Sequence, residues 1–498
     1  MGPQGNHPDV EPDVSAKPVQ ASSSFRTICT LLILLALQNM AIKLMNLPLN
    51  RVIELRYCQQ YYLQHDPSQL EPGGSIPEQL CKLDSVQQRL AWMQGMIETL
   101  HIVCDLIVTI PLSALSDKGR QRLVLGLNVS GLALMYMFIV LVGYLDILPV
   151  AAMLIGPMFT LLGGGNCAFM STTYGLVTQA ATLETQRSSY FAYISSVSYV
   201  ILLTSPSISA RTMTTNLWLP FWIGIIMLLI ALPVIFSLET PSDRNTTVDS
   251  LESAALLRRA SIDIKRNRLN NSNQGIFLAS IETLQHLFRQ VSQRRNFRYL
   301  LSVFLIVSLA SSGTPILPQY ISKRYGWTFA EAGYLLTVKA IVNVTLLTMI
   351  VPSTIKALHK YTRMSGVSIN IASAKASEII SVFGVLLVGT STTMGALIFC
   401  KSPKSSSRIE FANGISTGIV RLWIRNASFH AFSDYSIVMI AQTCGTLLGL
   451  PIMTIAWAKG IGIGGMGLGL PHFVSAVFYT VGYVFICKID VEDTVVDV

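Results

Sequence analysis

Charge is scarce in this chain. Only 13% of its 498 residues are Asp, Glu, Lys or Arg, about half of the ~25% that soluble domains carry. The length alone would suit two or three soluble domains, but the apolar residues come in runs too long for globular helices. The eight cysteines include no CxxC pair and no zinc spacing, which removes the sequence basis for a metal or dithiol site. A nucleotide loop, an HExxH segment and a nucleophile motif are also missing. No enzyme activity, cofactor or metal is expected. No small-residue cleavage site follows the first apolar run, near Thr27, so that run is expected as a retained span rather than a signal peptide. The net charge is +9, yet no basic patch interleaved with aromatics stands on a soluble segment. Nucleic acid is not an expected partner.

What the chain does have is hydrocarbon. Half of it, 51%, is hydrophobic, and a bilayer core of about 30 Å needs about 20 apolar residues per helix. Eleven such runs stand at 26–47, 88–114, 123–144, 147–178, 188–210, 217–238, 298–319, 330–355, 377–400, 436–458 and 468–487. Each must be helical, because lipid offers an unpaired N–H or C=O no partner. The expected class is an all-α, multi-pass membrane protein.

Lys and Arg collect in short loops, as on the cytoplasmic side of membranes. The 115–122 loop carries Lys118, Arg120 and Arg122, and the 356–376 loop carries Lys356, Lys360, Arg363 and Lys375. The long polar stretch 239–297 is richer still, with Arg258, Arg259, Lys265, Arg266, Arg294 and Arg295 among its cations. These predict a cytoplasmic N-terminus and an outward-facing 48–87 loop. Cys58 and Cys81 lie in that loop, where oxidising conditions would allow a disulfide. Lys323 and Arg324 run against the rule. The predicted domains are a disordered tail (1–25), a six-helix bundle (26–238), a cytoplasmic linker (239–297), a second bundle (298–487) and a tail (488–498).

Two regions stand apart. Within the linker, Phe277, Leu278, Ile281, Leu284, Leu287, Phe288 and Val291 share one face of an expected amphipathic helix, 275–292. Ser261 follows Arg258-Arg259-Ala260, a short match to a basophilic phosphorylation site. Between Cys400 and Ser436 a tenth crossing is expected, but 401–434 is too polar to cross comfortably and carries Arg421 and Arg425. A misread exon and a genuine structural loss both fit.

The strongest local signal is Ser113-Ala-Leu-Ser-Asp117-Lys118-Gly119-Arg120-Gln-Arg122. An acid, a turn-forming glycine and several cations fill a very short loop, where Asp117 is placed to accept from Arg120 or Arg122 and latch two helices. The loop resembles the Asp-Arg/Lys-x-Gly-Arg-Arg/Lys signature of the major facilitator superfamily. It departs from it by one missing residue before Gly119 and by Ser113 where a glycine is usual. Further segments resemble a fungal group of that superfamily distantly similar to proton-coupled folate transporters. They are Tyr57–Tyr62, Asp66-Pro67, Ile76–Lys82, Val86–Ala91, Gly163–Gly165, Glu184-x-x-Arg187-Ser188, Leu217–Phe221, Tyr325–Trp327 and Gly469–Pro471. The resemblance spans nearly the whole chain except 401–434. It implies two six-helix bundles around a central cavity, with alternating access. Facilitator antiporters often carry Gly-Pro with flanking glycines in the fifth span. Here Pro206 remains as a kink, while Ser205 and Ser209 replace glycines.

Ionisable residues within spans are functional candidates by default. Glu98, His101 and Asp105 recur at i, i+3 and i+7 on the second span, so they share a face. A carboxylate beside a histidine suits proton transfer near neutral pH; pairing of Asp105 with a cation on another helix is the competing explanation. Lys339 sits mid-span, at a cost of about 2.5–3.5 kcal/mol unless something offsets it. An anionic substrate or a neighbouring acid would do so. Gln38, Asn39, Lys43 and Asn343 are further cavity candidates. The leading expectation is a monomeric plasma-membrane transporter in proton-linked efflux of a secondary metabolite or drug-like compound. An importer of an organic anion or nutrient is the alternative, and a transport-defective membrane protein is the third.

Overall fold

The computed structural model describes residues 17–69, 76–117, 119–145, 148–180, 184–238, 295–345, 366–391 and 431–488. Among them every regular element is helical. The first half runs α1 (Lys17–His65), α2 (Asp84–Asp117), α3 (Gln121–Tyr144), a 3-10 segment Val150–Leu162 leading to α4 (Asn166–Ala180), α5 (Glu184–Thr215) and α6 (Leu219–Phe236). The second runs α7 (Arg295–Ser311), a 3-10 turn Thr314–Ile316, α8 (Leu317–Tyr325), α9 (Phe329–Thr345), α10 (Gly366–Thr390), α11 (Ala431–Ile463), a 3-10 turn Gly465–Gly469 and α12 (Leu470–Cys487). Nine segments among the described residues are long and apolar enough to cross a bilayer, and α7 with α8 makes one of them, Arg298–Tyr325.

The order of helices follows the apolar runs, but several boundaries move. The helix α1 begins at Lys17, inside the expected tail, and continues through Pro48 to His65. Its 49 residues span about 73 Å at 1.5 Å per residue, more than twice the hydrocarbon core. So 48–87 is not one loop: most of its first half is helix. Hydropathy falls there because Arg51 and Glu54 are charged, yet their charges are paired (below) and the helix persists. The 356–376 loop is corrected in the same way. Helix α10 already begins at Gly366, so Lys375 is helical, and this polar run packs along α12. Ser261, the expected helix 275–292 and most of 401–434 lie outside the described residues; α11 takes up the last of that stretch from Ala431.

Each half has its own core. Leu34, Leu35, Met45, Leu125, Phe221 and Leu228 are fully buried in the first, where α1 lies against α5 and α6, and α3 against α6. In the second, α7 lies on α11 and α12, and Phe304, Tyr320, Trp457 and Tyr479 are fully buried. Trp222, Ile226, Leu229 and Ile230 of α6 remain about half exposed, a face suited to lipid. The halves meet along α2–α11 and α5–α9. There Gly95 lies against Thr454, and the Ser207 and Thr337 hydroxyls are 2.7 Å apart.

Cys58 and Cys81 form a disulfide, Cα–Cα 5.3 Å, closing a sequence separation of 23 residues. It ties the top of α1 to the Glu78–Cys81 turn and is fully buried with Ile76 and Val86. Replacing both cysteines by serine should destabilise this end by about 3 kcal/mol on the chain-entropy scale. Thermal unfolding of the purified protein, with and without reductant, checks this. Equal midpoints in all samples would contradict it.

Candidate functional site

Between the halves lies a cavity of about 240 Å³. One wall is Lys43, Asn46 and Leu47 of α1 with Leu202, Ser205 and Pro206 of α5. The other is Leu336, Lys339 and Ala340 of α9 with Thr314, Pro315 and Pro318 at the α7–α8 break. The i, i+3, i+4 spacing in α1 and α9 turns each set to one face. Lys339 also borders a smaller pocket of about 50 Å³ inside the second half, reaching His472 and Ser475. Helical geometry puts Lys43 about 10 Å, seven residues, below Asn50.

At Asn50 the cavity is shut. Trp457 Nε1 donates to Gln319 Oε1 at 3.0 Å, and Gln319 Nε2 donates to Asn50 Oδ1 at 2.8 Å. All three side chains are buried, so this chain of bonds links α11, α8 and α1 away from water. Above it sits a charged cluster on the first half. Glu54 is fully buried and takes Lys82 at 2.7 Å, Arg51 at 2.8 Å and Gln87 at 2.6 Å. Glu78 joins Lys82 at 3.0 Å and accepts from the Phe329 N–H at 2.7 Å, while Lys82 lies over the Phe329 ring. Lys323 pairs with Asp84 at 2.6 Å and donates to the Lys82 carbonyl; Arg324 donates to the Gly465 carbonyl. Of the two cations that defied the charge rule, Lys323 thus reaches across the closure, while Arg324 bonds within the second half. The exposed Asp84 pair contributes little energy; the buried bonds carry the seal.

The fourth span is broken at Gly163–Gly165. A Cβ on Gly163 would fall 2.1 Å from the Leu127 carbonyl carbon, and Gly164 adopts φ +73°, so the chain turns flat against α3. The break frees polar backbone inside the bundle, and two side chains take it up. Asn128 donates to the carbonyls of Gly163, Gly164 and Gly165 at 3.0, 2.9 and 2.8 Å. Asp105 accepts from the N–H groups of Gly165, Cys167 and Ala168 at 2.7, 2.9 and 3.4 Å, capping α4, where a carboxylate is favoured. Gln38 donates to Asn128 at 3.0 Å. His101 Nε2 is buried without a hydrogen-bond partner; a Cβ on Gly165 would lie 2.9 Å from it and from Asp105 Oδ2. Glu98 accepts from Gln94 at 3.2 Å. Glu98, His101 and Asp105 do share a face; His101 and Asp105 meet this break, and none of the three lines the cavity. Gln38 belongs to the same inner network, and Asn39 donates to the Leu35 carbonyl of its own helix.

The Major Facilitator Superfamily profile matches residues 87–449. The chain belongs to that superfamily. It is similar to the MFS efflux pump atnC of Emericella nidulans, 26% identical over 442 residues, covering 86% of this chain and 81% of that one. It is also similar to the MFS-type transporter aprT of Aspergillus flavus, 23% identical over 466 residues, covering 92% and 87%. The solved human organic anion transporter MFSD10 matches with TM-score 0.58 at 15% identity, covering 93% of this chain and 99% of that one. A D-xylose-proton symporter matches with TM-score 0.60 at 12% identity, covering 94% and 97%. At such identities the structures share the fold alone. The chain is a membrane transporter with the facilitator fold.

The facilitator loop keeps its turn despite the missing residue. Gly119 sits at φ +82°, and its N–H donates to the Ser116 carbonyl at 3.0 Å, with Arg120 N–H reaching Leu115. Arg122 donates to the Leu238 carbonyl, tying the start of α3 to the end of α6. Asp117 closes α2; its side chain, Lys118 and the Asn343 side chain lie outside the described ones. Pro206 lines the cavity. Two groups escaped the sequence analysis. Glu54 was assigned to the 48–87 loop, where the i, i+3 spacing of Arg51 and Glu54 was the available signal. Glu378 is buried at the middle of α10, with Oε2 unbonded; starting that span at 377 leaves it on the rim. Helical spacing of Ser377 and Ser381, also buried, was the available signal.

Asn128→Ala would remove the two amide hydrogens shared among the Gly163–Gly165 carbonyls and the acceptor of Gln38. At about 0.6 kcal/mol per interhelical bond in a membrane, the expected loss is about 2 kcal/mol. Asp105→Ala should cost at least as much. Unfolding midpoints in detergent check both, and wild-type midpoints would contradict the assignment of this break to the two side chains.

Proposed function

We propose that this transporter exports a small organic molecule by alternating access, with the disulfide end facing out of the cell and the cycle linked to protons. The observation that carries this is the cavity on the interface of the halves, sealed at the disulfide end by Asn50, Gln319 and Trp457. A carrier loaded from the cytoplasm must hold its outer end shut while it loads. The disulfide favours an oxidising exterior for that end, in line with the Lys/Arg excess of the other loops. Efflux is favoured by two relatives named as efflux pumps, atnC and ustT. No chemical step on the cargo is needed, and we infer a plasma-membrane monomer.

Proton linkage rests on His101. Imidazole changes charge near neutral pH, and its buried Nε2 has no other duty. Asp105 instead holds three backbone N–H groups and serves as the positioning anion. Import of an organic anion is the second reading; the cavity lysines, Lys43 and Lys339, favour an anionic cargo in either direction.

Expression in transporter-depleted yeast separates the two. Export predicts higher tolerance to a toxic cargo and less labelled compound retained. Label held inside, with unchanged tolerance, would sink the export reading. His101→Ala should flatten the pH dependence of transport with surface expression preserved. Asp105→Asn should lower the amount of folded protein and leave the pH profile of the remainder. Persistence of pH dependence in both variants removes the proton role.

A further inference from the structure

We propose that the cavity binds an organic anion, held between the ammonium groups of Lys43 and Lys339 from opposite halves. The inference rests on the transport reading of this cavity, though not on its direction.

Two described lysines are paired: Lys82 has carboxylates at 2.7 and 3.0 Å, and Lys323 has one at 2.6 Å. Lys43 and Lys339 are set apart by where they stand. Both line one cavity, no acid stands among its described lining residues, and neither is in an ion pair with a described residue. Lys339 sits in the middle third of the described helix Phe329–Thr345. A cation at such depth is matched by cavity water or by an anion, and the described chain supplies no anion, which leaves that place to a ligand. The start of α8 borders the same space at Pro318, adding the positive end of a helix dipole.

Most of the remaining wall, such as Leu47, Leu202, Pro315 and Leu336, is apolar, with Asn46, Ser205 and Thr314 as its polar members. The ligand class is therefore one carboxylate or sulfonate head on a compact apolar body that fits about 240 Å³. Such a ligand neutralises two like charges that face each other across the halves. Loading thereby removes a repulsion that opposes their approach, which ties occupancy to closure.

The test is equilibrium binding to the purified full-length protein in detergent, with 1-naphthoate, its uncharged amide, 1-naphthylmethylammonium and lysophosphatidate as probes. Naphthoate should bind at least tenfold tighter than the amide or the ammonium. Lys43→Gln and Lys339→Gln should each weaken it by about tenfold, the loss of one charge-assisted bond. Lys339→Arg, which keeps the charge, should retain the preference and guards against a folding defect. Equal binding of the amide or ammonium, or a charge preference that survives the monodisperse double Gln variant, overturns the proposal. Binding of lysophosphatidate alone makes the occupant a lipid and also overturns it. An importer would give the same binding profile, so failure of the export reading leaves this inference standing. Lost charge preference in a chain that still exports sinks this inference alone.

Discussion

Hydrocarbon gives polar groups nothing to bond, and the rest of this structure follows from that constraint. Where the fourth span breaks, the freed carbonyls go to Asn128 and the freed N–H groups to Asp105. Where α1 carries Glu54 upward, Arg51, Lys82 and Gln87 close around it. Where the halves meet at the disulfide end, Trp457, Gln319 and Asn50 satisfy one another. Among the described residues some buried polar atoms still have no hydrogen-bond partner, His101 Nε2 and Glu378 Oε2 with them, and Lys43 and Lys339 have no ion pair with a described residue.

The two broken spans illustrate how one device serves two ends. Discontinuous helices bring backbone polarity to the membrane midplane and often mark transporter sites. The break at Gly163–Gly165 is filled by the chain's own Asp105 and Asn128, so it fixes the first bundle. The break at Thr314–Ile316 opens toward the cavity. Asp105 of α2 serves the first break, and Lys43 and Lys339 line the cavity that the second break borders.

Much of the fold was legible because apolar runs of bilayer length have one backbone solution. The order of eleven runs, the Pro206 position in α5 and the Cys58–Cys81 pair were all accessible from composition and spacing. Hydropathy failed where polar residues are paired inside a helix. Arg51 and Glu54 cancel each other, so α1 continues where the apolar run ends. Helix α10 packs along α12 and begins ahead of its apolar run, so Glu378 lies mid-helix. The role of Asp105 was not readable either, since its partners are backbone groups more than 50 residues away, and a sequence pattern carries no trace of backbone donors. The facing of Lys43 and Lys339 depends on the approach of two halves, which spacing within one helix cannot report.

The central claim is that the halves alternate about the cavity, with the disulfide end held shut by the buried Asn50–Gln319–Trp457 chain. The most direct test is the distance distribution between spin labels at exposed Leu63 and Met466, on opposite halves at that end, in a background with the unpaired cysteines replaced by serine. With the seal intact, one short population is expected. Gln319→Ala should add a longer population by freeing Asn50 and Trp457 together. A single distribution unchanged by that substitution would contradict the account.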